Sequence, residues 1–236
     1  MIADAAPSRR PRPASLPVAA ILVAALLLTG CAWESARGPG SDADPEEVDR
    51  MLVALIGPTL DDPELAENPP TAITDGVAAL AQEHPRHIGA QWAAAVFARH
   101  AGNDELARLH LDRVLTIDPT HVGAAVMAAS LAVEAGNLPR ARKIVDTARR
   151  AHPDASNLHE TASWLAKLDG EPGTALADLD RALELGAPEW RVAYNRGLIL
   201  EDMDDQDGAA TEYERCLGLR EDFEPARARL RALQAR

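Results

Sequence analysis

A period of 34 residues governs this chain. Three prolines close helical patterns at equal intervals: Pro85 in EHPR, Pro119 in IDPT and Pro153 in AHPD. Pro188 in LGAP continues the series one position late. Inside each unit other slots recur at the same spacing: Gly102, Gly136 and Gly170; Ala107, Ala141, Ala175 and Ala209; Leu111, Val145, Leu179 and Tyr213. Registers that share one period point to a repeat array, in which each unit packs on its neighbours, rather than to one undivided domain.

Each unit reads as two helices. Small residues let the helices of a hairpin approach closely, and bulky ones fill the gap to the next hairpin. Glycine ends the first helix in left-handed geometry, and proline stops the second. On these residues the sequence resembles the tetratricopeptide repeat family. Its 34-residue unit has glycine at the inter-helix turn, alanine opening the second helix, a bulky residue four later and a terminal proline. The resemblance implies an all-α fold, a right-handed superhelical solenoid of antiparallel helix pairs. The repeats fall at 88–121, 122–155, 156–189 and 190–223. The fourth matches best in its first helix, AYNRGLIL, with Gly197 in the family's small slot; Ala95, Ala129 and Ser163 hold that slot in the others. The fourth departs at its turn, where Asp204 replaces glycine. Residues 46–87 read as a degenerate N-terminal repeat. Residues 224–236 read as a capping helix, in a segment where Phe223, Leu230 and Leu233 alternate with charges.

Reactive chemistry is hard to find. The histidines are His84, His87, His100, His110, His121, His152 and His159. His84 and His152 each precede a repeat-ending proline, so repetition accounts for them. HPRH spaces His84 and His87 as a helix would align them, but across a proline that breaks the helix, so a metal site is disfavoured. The acidic run EDMDDQDG, 201–208, fails as a calcium loop: glycine is due at Asp207 and a bidentate glutamate at Tyr213. It reads instead as a solvated inter-helix turn. Ser130 and Ser163 lie inside helices without a paired base, and no glycine-rich phosphate loop occurs. Cys216 stands where the family has alanine and reads as a buried small residue. No cofactor, metal or catalytic residue is expected.

The family resemblance implies a concave groove built from the first helices. Carried over residue by residue, it is lined by Trp92, Val96 and Arg99, then Met127 and Ser130, then Trp164 and Lys167, then Tyr194, Asn195, Leu198 and Glu201. Tryptophan and tyrosine are common binding anchors. The alternative is that Trp92 and Trp164 simply pack between helices. The lysine and asparagine set with which some relatives clamp a C-terminal carboxylate is not reproduced.

The N-terminus has its own pattern. Arg9, Arg10 and Arg12 precede an apolar run from about Leu16 to Leu28, and Thr29, Gly30 and Cys31 follow. That is the order of a signal peptide, and the run is shorter than the roughly 20 residues of a spanning helix. Leu28-Thr29-Gly30-Cys31 resembles the lipobox of bacterial lipoproteins. The resemblance implies a signal peptide at 1–30 and a diacylglycerated Cys31 as the mature N-terminus. An ordinary secretory signal or an uncleaved anchor is the alternative. Ala32 after the cysteine favours outer-membrane delivery by the same resemblance. Residues 31–45, rich in Gly, Pro, Ser and Asp, read as a flexible tether.

Charge narrows the partners. The chain carries 24 basic and 37 acidic residues, a net charge of −13. Such a chain repels phosphates, which excludes nucleic acid as a natural partner. With Cys31 acylated, Cys216 has no cysteine to pair with inside the chain. The expected molecule is a lipid-anchored scaffold or assembly factor, facing the periplasm from an outer membrane. It would hold a protein or peptide partner of the cell envelope. An envelope enzyme or metal protein using the histidines is the second reading.

Overall fold

The computed structural model describes residues 44–235. The signal-peptide reading of 1–30, Cys31 and nearly all of the tether lie outside the described residues. Helices follow one another throughout: α1 (Pro45–Asp61), α2 (Pro63–Glu67), α3 (Thr71–Glu83), α4 (Ile88–His100), α5 (Asp104–Ile117), α6 (Val122–Glu134), α7 (Leu138–Ala151), α8 (Ser156–Leu168), α9 (Pro172–Glu184), α10 (Glu189–Asp202), α11 (Gln206–Leu219) and α12 (Glu224–Gln234). The expected all-α arrangement of helix pairs is observed. The chain forms two compact units, the first ending at His110 and the second beginning at Leu111. In the first, α1 packs on α3 and α4; in the second, each helix packs on the next, and the first helices α6, α8 and α10 also meet one another.

The periodic slots are the core. Ala107, Ala141, Ala175 and Ala209 are completely buried, as are Leu111, Leu179 and Tyr213, with Val145 only 1% exposed. The core of the second unit is a series of local clusters, each drawn from successive helices. Ala129, Ala132, Ala141, Val145, Ala162 and Leu165 join α6, α7 and α8. Ala175, Leu179, Ala182, Val192 and Ile199 join α9 to α10. Ala193, Ala209, Tyr213, Cys216 and Ala226 join α10, α11 and α12. Burial of this kind couples neighbours only, so stability accrues along the array.

Turn chemistry repeats with the same period. Gly102, Gly136 and Gly170 take φ of 74°, 75° and 74°, the left-handed geometry that a side chain disfavours. Asp204 occupies the fourth such position at φ 62°. The residue after each turn caps the second helix: Asn103 accepts from the Leu106 N–H, Asn137 from Arg140 and Asp205 from Gly208. Glu171, in the equivalent slot, makes no side-chain cap. Left-handed geometry costs an L-residue about 1 kcal/mol, so Asp204→Gly is expected to raise stability by about 0.5–1 kcal/mol. Gly136→Ala, at a position open to solvent around its missing Cβ, lowers it by about as much through backbone strain alone. Urea unfolding of the two variants reads both signs.

Candidate functional site

The face formed by α6, α8 and α10 carries paired charges. Arg191 on α10 grips Glu160 on α8 with two hydrogen bonds, at 2.5 and 2.6 Å. The Lys167 ammonium on α8 meets Asp202 on α10 at 2.6 Å. Arg229, on α12, donates to Glu201 on α10 at 3.0 Å. The helix α8 is thus tied to α10, and α10 to α12, by a carboxylate and a cation. The bidentate arginine pair holds geometry best, because its planar fork matches the carboxylate.

Among these pairs stand the side chains expected to form a groove. Met127 and Ser130 on α6 are partly exposed, and the Ser130 hydroxyl donates to Glu134 at 3.3 Å. Trp164 on α8 is partly exposed and packs against the cluster that α6 shares with α7 and α8. Tyr194 and Leu198 lean on the C-terminal cluster; the Tyr194 ring lies 5.1 Å from Phe223, edge-on, and 5.8 Å from Tyr213. Burial raises the Tyr194 phenol above its ordinary value, with Arg229 opposing the shift. Asn195 is partly exposed on the same helix. Lys167 and Glu201 are the charged members in the second unit, and both are already in ion pairs. In the first unit the outcome is different. Trp92 and Val96 are buried, 5% and 2% exposed, and serve the core instead of an open face. Arg99 bonds to Asp104 at 2.7 Å across its own hairpin turn. Sequence reasoning missed Glu160, Arg191, Asp202 and Arg229; the available signal was a cation and a carboxylate about one repeat apart on successive first helices.

The histidines hold structural posts. His87 and His121, one period apart, are the N-caps of α4 and α6. Each Nδ1 accepts from a backbone N–H at 3.1 Å, from Ala90 and Ala124 respectively. The proton of each neutral ring therefore sits on Nε2, which in His87 faces Asp49 at 3.4 Å. His84 and His152 are the C-caps of α3 and α7. The His110 ring meets Gln91 at 2.8 Å, His159 faces Asp178 at 3.4 Å, and His100 reaches the Glu67 carbonyl at 2.7 Å. The run 201–208 is a helix end, the left-handed Asp204 and the cap Asp205, as a solvated turn requires. Among the described residues no group of three or more His, Cys, Asp or Glu could hold a metal ion. Cys216 is fully buried, and burial raises its thiol above the usual value.

The histidine caps carry a pH signature. Burial lowers the folded-state values of His87 and His121 below the ordinary 6.5; Asp49 and Asp118 respectively oppose it. Below pH 6.5 the unfolded chain therefore binds protons that the folded chain refuses. The stability these rings contribute is full above 6.5 and is lost as pH falls toward the depressed values, by at most about 1.4 kcal/mol per ring per pH unit. The double variant His87→Asn with His121→Asn keeps a capping side chain that does not titrate. Its stability is expected to fall less between pH 7.5 and 5.5 than that of the parent, as urea midpoints would show.

Comparison with known proteins agrees with the hairpins. Residues 98–165 match the family described as tetratricopeptide repeat. A thermophilic tetratricopeptide-repeat protein of Thermus thermophilus superposes with a TM-score of 0.62 at 18% identity, covering 82% of this chain and 100% of that one. MamA of Desulfovibrio magneticus gives 0.58 at 14% identity, with 77% and 98% covered. PilF of Pseudomonas aeruginosa gives 0.59 at 17% identity, with 79% and 90% covered. No curated protein matches the sequence. The fold is a tetratricopeptide-repeat fold.

Proposed function

We propose that this chain is an interaction protein, a lipid-anchored scaffold or assembly factor of the bacterial cell envelope, acting from the periplasmic side of the outer membrane. It holds a peptide or helix of an envelope protein on the face of α6, α8 and α10. The observation that carries this reading is the composition of that face. Met127, Trp164 and Leu198 present apolar surface, while Glu160, Lys167, Glu201 and Asp202 are committed to ion pairs within the chain. A partner is therefore recognised through apolar contact and hydrogen bonding, with Asn195 and Ser130 as the polar handles. Residues 1–31 support the anchor by their order and their lipobox. A tether of the length of 31–45 keeps the face near the bilayer and raises its effective concentration for membrane-bound partners.

The test joins position and contact. Cys31→Ala is expected to move the folded protein from the membrane to the soluble fraction; persistence in the membrane after leader cleavage would refute the anchor. A photo-crosslinking residue at Asn195 should capture an envelope protein. The same residue at Arg150, exposed on α7, should capture none. Equal capture at both positions, or capture at Asn195 that survives Trp164→Ala undiminished, would refute the face.

A further inference from the structure

The outer face of α1 carries exposed apolar side chains. Met51 and Val53 are each 47% exposed, and Ala54 and Pro58, on the arc between them, are exposed as well. The opposite face of the same helix supplies the core residues Val48, Leu52 and Ile56, so α1 is fully committed on one side and uncovered on the other. Two features of the arc narrow what can cover it. Pro58 lies inside the helix and has no N–H, so the Ala54 carbonyl one turn earlier lacks the usual hydrogen bond from position 58. A dry contact with another protein surface would bury that carbonyl unsatisfied, whereas a hydrated boundary leaves it to water. The second feature is position. Asp44, the N-cap of α1, stands 13 residues after Cys31, and a random-coil chain of that length would span about 20 Å.

We infer that the outer face of α1 rests on the lipid surface, with Met51 and Val53 entering the boundary between headgroups and acyl chains. This inference depends on the acylated Cys31 proposed above. A helix lying in the interface needs apolar side chains on one side and enters only as far as the hydrated boundary, which suits four apolar side chains and a carbonyl that lacks its bond from Pro58. Glu47 and Arg50, of opposite sign, stand on the arc toward the N-terminus, and the chain as a whole is acidic. The surface that fits is accordingly zwitterionic; an anionic one would repel the rest of the molecule. By contrast the exposed side of α12 presents Ala228, Arg231, Ala232 and Gln234, without a large apolar side chain. The sticky face is the one next to the anchor.

The experiment uses the full lipoprotein in phosphatidylcholine vesicles, with an environment-sensitive fluorophore on Met51→Cys or, as a control, on Ala232→Cys. Quenching by lipids that carry a spin label near the headgroup should be several-fold stronger at position 51 than at 232, with a blue shift at 51 alone. Adding Val53→Glu should abolish the difference without changing the circular dichroism. Equal quenching at the two positions, in protein whose acylated Cys31 is verified by mass, would overturn this inference and leave the anchor standing. A mass showing unmodified Cys31 would overturn both. Disulfide-linked dimers through Met51→Cys without lipid quenching would assign the face to a second copy and overturn it too.

Discussion

Replacing Gly197 by alanine is expected to destabilise the protein by about 1–2 kcal/mol, although alanine is the better helix former by about 1 kcal/mol. An added Cβ would stand 2.4 Å from Tyr213 Cε1 and 2.8 Å from Cδ1 and Cζ. The ring cannot withdraw: Tyr213 is completely buried, and Tyr194 packs on it at 5.8 Å. Overpacking of a closed site costs about 1–3 kcal/mol and exceeds the propensity gain. The other repeats show the compensation. Where the small slot holds Ala129 or Ser163, the slot sixteen residues later holds Val145 or Leu179; where it holds glycine, that later slot holds tyrosine. Tyr213→Leu alone leaves a cavity and loses about 2 kcal/mol. The double variant, Gly197→Ala with Tyr213→Leu, should lose less than either single change, because it installs the residues that the first repeat carries in these slots, Ala95 and Leu111. Urea unfolding and hydrogen exchange in α10 and α11 measure the coupling. Losses that simply add would show that the two slots do not share volume.

What could be seen in advance follows from how many demands a residue answers. A slot with one demand repeats visibly: left-handed backbone at Gly102, no volume at Ala141, bulk at Leu179. Asp204 was visible as a departure, and its positive φ shows that the turn persists with a strained residue in place of glycine. Gly197 and Tyr213 were each legible, but their exchange of volume needed the distance between them. Trp92 illustrates the limit on the site. An aromatic residue at helical spacing looks the same in sequence whether neighbouring helices cover it or leave it open, and here it is covered. The ion pairs were illegible for a related reason. With 26% charged residues, many cation and carboxylate combinations have helical spacing, and only side-by-side first helices select Glu160 with Arg191.

Removing the Asp178 carboxylate should have a large effect for a single charge. Asp178 on α9 accepts from Arg149 on α7 at 2.9 Å and faces His159 Nδ1 on α8 at 3.4 Å, while His159 Nε2 lies 3.0 Å from the Pro153 carbonyl. One carboxylate therefore joins three helices, with only 15% of its side chain exposed. Breaking a buried pair costs about 3–5 kcal/mol; because Arg149 keeps a third of its side chain in water, about 2–3 kcal/mol is expected for Asp178→Ala. Asp178→Asn retains an acceptor and should lose about half of that. The second repeat shows how the position can do without charge: the slots of His159 and Asp178 are filled there by Ala125 and Ile144, which share one apolar cluster. His159→Ala combined with Asp178→Ile should therefore be less harmful than Asp178→Ala alone, since it removes the ring that would otherwise lose its partner. Glu184→Ala, which breaks the exposed pair with Arg181, supplies the control and should change stability by no more than about 0.5 kcal/mol. The order of urea midpoints across these four variants decides the matter. If Asp178→Ala matched Glu184→Ala, the three-helix junction would be a surface ornament, and the burial of the repeat slots alone would hold α7, α8 and α9 together.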